Sequence, residues 1–153
     1  MGELLLAYEM SALGVAARST VWLYPIANLI HVLGAAMLFG AIAAFDIAVL
    51  RHSRAIALIG RATLPIAAVG LAMQLVTGLV LFSAEATTMA TNPAFLAKLA
   101  AIAIAGVNLV AFHWRFGGAL AASLLPPAAR AHAAGSLGAW AVALLAGRGI
   151  AYL

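Results

Sequence analysis

The 153-residue chain contains no cysteine, which removes disulfides, thiolate-held iron–sulfur clusters and thiol nucleophiles from consideration. Charge is scarce as well. Only 8% of the residues are Asp, Glu, Lys or Arg, against about 25% in an average soluble domain. So few charges cannot cover a water-facing surface, and 67% of the chain is hydrophobic, a composition suited to a bilayer. No zinc-ligand spacing, Gly-rich nucleotide loop or nucleophile motif is present. The formal charge of +4 is not read as nucleic-acid affinity, because in such a chain the position of the charges carries the information. Met1-Gly2-Glu3 offers no basic n-region before the apolar 4–6 run, so the first span is expected to act as an uncleaved insertion signal. Leu6 occupies the place where a myristoylation pattern needs Ser or Thr. The expectation is one integral membrane domain over 1–153.

The most informative stretch is 22–54. Trp22 and Tyr24 suit a membrane interface, and Pro25 suits a first helical turn. Then come Asn28, His31, Gly34, Gly40 and Asp46, followed by Arg51 and Arg54. The apolar runs predict an all-α, four-transmembrane-helix bundle with spans of roughly 25–50, 61–82, 94–116 and 131–152. Gly34 and Gly40 would let another helix approach closely, and Pro65 falls near the start of span two. Asn92-Pro93 is a cap followed by a first-turn proline, Gly117-Gly118 reads as a stop, and 119–130 as an apolar connector broken by Pro126-Pro127. Residues 3–17 are too short to span and predict a short N-terminal interfacial helix, with Glu3, Ser11, Gly14 and Arg18 on one face. A docking segment for another subunit fits the same residues.

The charges predict an orientation. Arg51, Arg54, Arg61, Arg115 and Arg130, five of the eight basic residues, fall in the two loops at one end. Glu3, Glu9 and Glu85 fall at the other. By the positive-inside bias the basic loops are cytoplasmic and both termini face outward.

His31 lies about six residues into the first span, roughly 9 Å deep at 1.5 Å per residue. An ionisable group at that depth faces a bundle interior or a cavity. Two readings fit: a ligand to haem or copper with Asn28 beside it, or a neutral histidine hydrogen-bonded between helices. Lys98 opens span three at the same level, and Arg148 and Tyr152 close span four. Tyr24, Asn28, His31, Lys98, Arg148 and Tyr152 are therefore expected to line one outward-facing polar pocket. Two cations beside a histidine favour an anion, such as a haem propionate or a partner's carboxylate. Taken singly, Lys98 and Arg148 also fit snorkelling to headgroup phosphates. Asp46 is expected to pair with His113 or Arg115, since a buried carboxylate needs a partner. Gln74 and Asn108 are mid-span amides suited to interhelical hydrogen bonds.

A b-type haem held by two histidines needs both at one depth. Only His31 lies at the outer level. His52, His113 and His132 lie at the inner one, with His52 and His132 at or beyond the interface. A di-haem wire within one chain is therefore not expected, whereas a single haem on His31 with a Met or a neighbouring subunit's ligand stays open. Copper calls for soft ligands. The five methionines form no Met-x-x-Met cluster, and Met37 and Met89 are the nearest candidates.

The run Trp22-x-Tyr24-Pro25-x-x-Asn28-x-x-His31-x-x-Gly34, with Gly40 and Asp46, resembles an uncharacterised family of four-helix bacterial inner-membrane proteins. So do Asn92-Pro93-x-Phe95-x-x-Lys98 with Asn108, and Gly147-Arg148-x-Ile150-Ala151-Tyr152. That family is distantly similar to the CopD-type copper-resistance membrane domain. The resemblance implies copper handling, or service beside a periplasmic redox partner, in the bacterial inner membrane with both termini periplasmic. The expected function is a small non-catalytic membrane subunit of a larger redox complex, with haem b or copper on His31 as the cofactor choices. A CopD-like copper-handling or transport protein and a stand-alone b-type cytochrome are the other readings. The expected partners are lipid and other membrane or periplasmic subunits.

Overall fold

Long stretches of Ala, Leu, Ile and Val, interrupted by turn signals, leave the backbone no way to satisfy its polar groups in lipid except within helices. A computed structural model, describing residues 2–121 and 125–152, bears this out. Helices α1 (Gly2–Glu9) and α2 (Ala12–Ser19) precede α3 (Leu23–Leu50) and α4 (Ile56–Ala84). The one-turn α5 (Ala86–Met89), α6 (Pro93–Ala121) and α7 (Ala129–Gly149) follow, and a final 3-10 turn covers Ile150–Tyr152. No strand occurs among the described residues. Helices α3, α4, α6 and α7 are each long and apolar enough to cross a bilayer.

The four long helices alternate in direction. α3 packs closely on α4 and on α7, α7 packs on α6, and α4 meets α6 only weakly. The ring is therefore tight on three sides and open on the fourth. One apolar cluster at mid-height joins Leu38 and Ile42 of α3, Ala101 and Ala105 of α6 and Trp140 of α7. A second, near the basic loops, joins Phe45, Val49, Ile56, Phe112 and Phe116. Phe112 meets Phe45 and Phe116 edge-on, at 5.9 and 5.3 Å between ring centres.

Lipid supplies no hydrophobic force between helices, so contact must come from close packing and hydrogen bonds. α3 and α4 meet backbone to backbone. A Cβ on Gly70 would stand 2.6 Å from the Leu38 nitrogen and 2.7 Å from the Gly34 oxygen, and one on Gly34 would stand 2.9 Å from the Met73 Cβ. Gly40, expected to serve the same purpose as Gly34, does not: a Cβ there meets nothing within 4 Å. It lies on the exposed face of α3.

Several boundaries differ from the sequence expectation. α4 starts five residues before Arg61, so Pro65 lies inside the helix rather than near its start. α6 runs straight through Gly117-Gly118 to Ala121. Two glycines cost about 1 kcal/mol each relative to alanine, which the continuing Ala-Leu-Ala segment and the neighbouring α7 offset. The connector expected over 119–130 therefore begins as helix; residues 122–124 lie outside the described residues. α3 ends in a reverse turn in which the His52 amide donates to Val49 and the Ser53 amide to Ala48, at 3.1 and 3.0 Å. His52 carries the left-handed backbone of that turn, φ 50°, where glycine is usual.

The N-terminal helix is split. Ser11 caps α2 by accepting from the Gly14 amide at 3.3 Å, and its extended backbone breaks the continuity of 3–17. Both pieces lie on the ends of α4 and α5 rather than apart from the bundle. Gly14 sits where a Cβ would meet the Ser83 carbonyl at 2.6 Å. Arg18 donates to the Ala84 carbonyl at 2.9 Å, and to that of Ser83 and of Glu9. It thereby satisfies carbonyls left open at the end of α4. Glu9 accepts from the Thr87 amide and hydroxyl at 3.0 and 2.7 Å, and Tyr8 donates to the Leu79 carbonyl at 2.9 Å.

The glycine contact predicts a contrast in stability. Gly70→Ala should cost about 1–3 kcal/mol or more by overpacking. Gly106→Ala, with open space around it, should be neutral or stabilising by up to about 1 kcal/mol. Unfolding in mixed micelles measures both, and equal stability of the two variants would refute the close approach.

The Glu9 latch predicts a pH effect. The two Thr87 hydrogen bonds, with the nearby Arg18 charge, hold the Glu9 carboxyl below its ordinary pKa. A depressed folded-state pKa stabilises the docked form above the ordinary carboxylate range, and that stabilisation is lost as pH falls through the depressed value. Hydrogen-exchange protection factors over 2–19, taken against the intrinsic exchange rate at each pH, should fall on acidification in wild type. In Glu9→Gln they should be low throughout.

Candidate functional site

The close α3–α4 crossing sets the register of every polar side chain above it. One turn from Gly34, His31 faces Gln74, Thr77 and Gly78 of α4. The Gln74 amide donates to the His31 carbonyl. The His31 ring lies over Gly78, where a Cβ would come within 3.4 Å of its Cε1. Its Nδ1 is 2.8 Å from the Thr77 hydroxyl, which itself donates to the Met73 carbonyl. Thr77 is buried, with 6% of its surface exposed.

α6 brings the third partner. Its start is fixed by Asn92, whose side-chain oxygen accepts from the Ala94 and Phe95 amides at 2.9 and 3.1 Å, with Pro93 in the first turn as the sequence predicts. Two turns in, the Lys98 Nζ reaches the His31 Nε2 at 3.2 Å. α7 makes room for it at Gly147, where a Cβ would stand 3.5 Å from the Lys98 Cδ and Nζ. Four helices thus converge on one chain of groups.

Donor counting fixes the protons. An ammonium only donates, so Nε2 of His31 accepts from Lys98. Nδ1 then carries the hydrogen and donates to Thr77, whose own hydrogen goes to Met73. His31 is a neutral imidazole with both nitrogens engaged. A metal ligand must offer a free lone pair, and a cation placed at Nε2 would sit beside the ammonium. At about 3 Å and an effective dielectric of about 20, that repulsion is roughly 5 kcal/mol per unit charge. A metal or haem iron on His31 would therefore require Lys98 to leave Nε2. Among the described residues no group of three or more His, Cys, Asp or Glu is placed to hold a metal ion.

Of the six residues expected to line one pocket, the structure brings together His31 and Lys98. Lys98 turns inward to the histidine instead of outward to headgroups. Arg148 and Tyr152 are exposed and pair with each other, the guanidinium donating to the phenol at 3.4 Å and lying 5.7 Å over its ring. Tyr24 and Asn28 are exposed on α3; the buried stripe of that helix runs through Ala27, Gly34 and Leu38 instead. Thr77, Gly78 and Gly147 complete the site and were not among the expected residues. The signal for Thr77 was its position one turn after Gln74, two polar groups on one stripe of an apolar span.

A second polar clamp joins α6 to α7. The Asn108 amide donates to the His132 carbonyl at 3.0 Å, and the His132 Nδ1 lies 2.9 Å from the Asn108 side-chain oxygen. Gln74 and Asn108 thus make the interhelical bonds expected of them. His132, expected at or beyond the interface, is half-buried with its ring edge-on to Phe116. Asp46 does not pair with His113 or Arg115. Both are exposed on α6, and Arg115 lies over the ring of its neighbour Phe116. The Asp46 carboxyl instead faces Ser136 of α7, and its Oδ2 has no partner. Position 46 sits on the α3 face turned to α7, which the spacing to His113 and Arg115 alone does not reveal. In comparisons with protein-family models, curated proteins and solved structures, nothing matches the chain.

The Lys98–His31–Thr77 chain predicts coupling between two side chains bridged by the imidazole. Thr77→Val and Lys98→Met should each destabilise the bundle. The double variant should fall short of their sum by about 0.5–1 kcal/mol, the scale of hydrogen bonds between membrane helices. Simple additivity would mean that His31 does not link them.

Proposed function

We propose that this protein is a small non-catalytic integral-membrane subunit of a larger redox complex, with lipid and other membrane or periplasmic subunits as its partners. The supporting observation is the platform at the end that carries both termini. There α1 and α2 are latched to α4 and α5 by Tyr8, Glu9 and Arg18. Polar groups face the bundle, and Leu4, Met10, Val21 and Trp22, each more than half exposed, point away from it. A segment held in this way offers a fixed apolar surface for another subunit. Lys98 and His31 lie beneath it as a positioned cationic node. The motif resemblance to four-helix bacterial inner-membrane proteins, and distantly to the CopD-type domain, supports a place beside a periplasmic redox partner. The clustering of arginines at the opposite end supports periplasmic termini.

The role of His31 in this reading is to join helices. Copper handling or a stand-alone b-type cytochrome would require the Lys98 hydrogen bond to open first.

Gentle solubilisation should yield the chain together with larger partners. Leu4→Glu combined with Val21→Glu should release them while leaving the bundle folded. Copper content and visible spectrum should be the same in wild type and His31→Ala. Isolation of wild type as a clean monomer under mild conditions would refute the subunit reading, and copper or a haem band lost with His31 would restore the ligand reading.

A further inference from the structure

On the side where the ring is open, between the first turns of α4 and the last turns of α6, lies a cavity of about 440 Å³. Its lining includes Ala57, Arg61, Leu64, Pro65, Gly117 and Leu120. Ala57, Arg61, Leu64 and Pro65 fall at helical spacing on one face of α4. Small residues at 57 and 117 leave the space that larger side chains would close. From Ala57 to Pro65 the groove descends about 12 Å along α4 at 1.5 Å per residue, most of one leaflet's roughly 15 Å of hydrocarbon.

Arg61 is exposed and has no carboxylate of its own chain to meet. Of the four acidic residues, Glu3, Glu9 and Glu85 lie at the opposite end of the bundle. Asp46 is buried, with 4% of its surface exposed, and faces Ser136. Arg51 and Arg54, in the turn just before α4, are also exposed. The first turn of α4 has neither a side-chain cap nor an acidic residue, so its amide groups are open beside the arginine. The groove thus has a cationic, donor-rich mouth at the membrane surface and an apolar wall descending into the bilayer.

We propose that this groove binds an anionic phospholipid of the leaflet next to the basic loops. The phosphate lies at the first-turn amides of α4 with the exposed Arg61 side chain reaching up to it, and one acyl chain runs past Ala57 and Leu120 down to Leu64 and Pro65. Charge complementarity selects this occupant. A zwitterionic lipid carries its own ammonium and gains less from Arg61, the one arginine lining the groove, which contributes about 1 kcal/mol toward an anionic headgroup. The bound chain fills the gap between α4 and α6, the two neighbouring helices that barely touch. This site is independent of the platform at the other end and of any subunit bound there.

Native mass spectrometry of the purified full-length protein, titrated with phosphatidylglycerol or phosphatidylcholine, tests the assignment. Wild type should retain phosphatidylglycerol about five- to tenfold more tightly. Arg61→Gln, at an exposed side chain, should erase that preference. Ala57→Trp, which fills the groove, should weaken retention of both lipids. Arg148→Gln at the far end should behave as wild type. Equal retention of the two lipids by wild type, or an unchanged preference in Arg61→Gln, would overturn the proposal whether or not Ala57→Trp folds. So would a photo-crosslinker at Ala57 that captures a protein helix in place of lipid.

Discussion

The approach of α3 to α4 at Gly34 and Gly70 is the constraint on which the other contacts depend. Two helical backbones come so close that neither glycine admits a Cβ. In a bilayer this contact replaces the hydrophobic force that would hold a soluble bundle together. It also sets depth and rotation. With Gly34 seated against Gly70, residue 31 falls opposite 74, 77 and 78; its imidazole finds a hydroxyl and a glycine-sized space, and its backbone carbonyl finds the Gln74 amide. Toward the basic end the same crossing seats the Phe45 ring on Gly60, where it anchors the second apolar cluster. A side chain at either glycine would displace both ends together.

The polar groups inside the bundle follow one economy. Nothing in hydrocarbon accepts or donates a hydrogen bond, so each buried polar atom must be answered from within the protein. His31 is answered from α4 and α6, Gln74 by α3, and Asn108 and His132 by each other. The Asp46 Oδ2 is the exception among the described residues. An ionised carboxylate there would be costly, since the only polar neighbour identified is one hydroxyl. The arginines that might have answered it lie at exposed positions toward the basic end instead. That separation of charge gives the bundle one basic end and one end bearing glutamates.

Much of the architecture was legible in the sequence because bilayers constrain length so strongly. Four apolar runs of sufficient length, separated by Arg-rich or polar turns, leave few alternatives. The Asn92-Pro93 start and the interhelical roles of Gln74 and Asn108 follow from local chemistry alone. Rotation was less legible. Tyr24, Asn28 and His31 share a stripe on α3, but the buried face is centred on Ala27, Gly34 and Leu38, so only His31 lies near enough to it to turn inward. Gly34 and Gly40 look alike in a sequence, yet only one of them points at α4. Helix ends were least legible. Gly117-Gly118 costs too little to stop a helix with a packing partner, and Arg61 marks the limit of the apolar run rather than the start of α4. The break at Ser11 turns on a capping hydroxyl that an averaged face pattern conceals.

The allocation of hydrogen bonds decides where this molecule has capacity to bind anything. In mid-bundle the side chains able to hold a ligand are already holding helices, so recruiting one of them means breaking a contact the fold requires. His31 shows the trade directly: its Nε2 lone pair is the acceptor that allows an ammonium to lie half-buried between α6 and α7. Removing that acceptor would leave Lys98 as an uncompensated charge, more costly than the loss of one neutral hydrogen bond. Capacity is left where helices end or diverge. At one end it is the apolar outer surface of α1 and α2; on the open side it is the groove between α4 and α6, where Arg61 has no carboxylate to meet. A chain with so few charges thus separates the groups that build it from those able to meet something else.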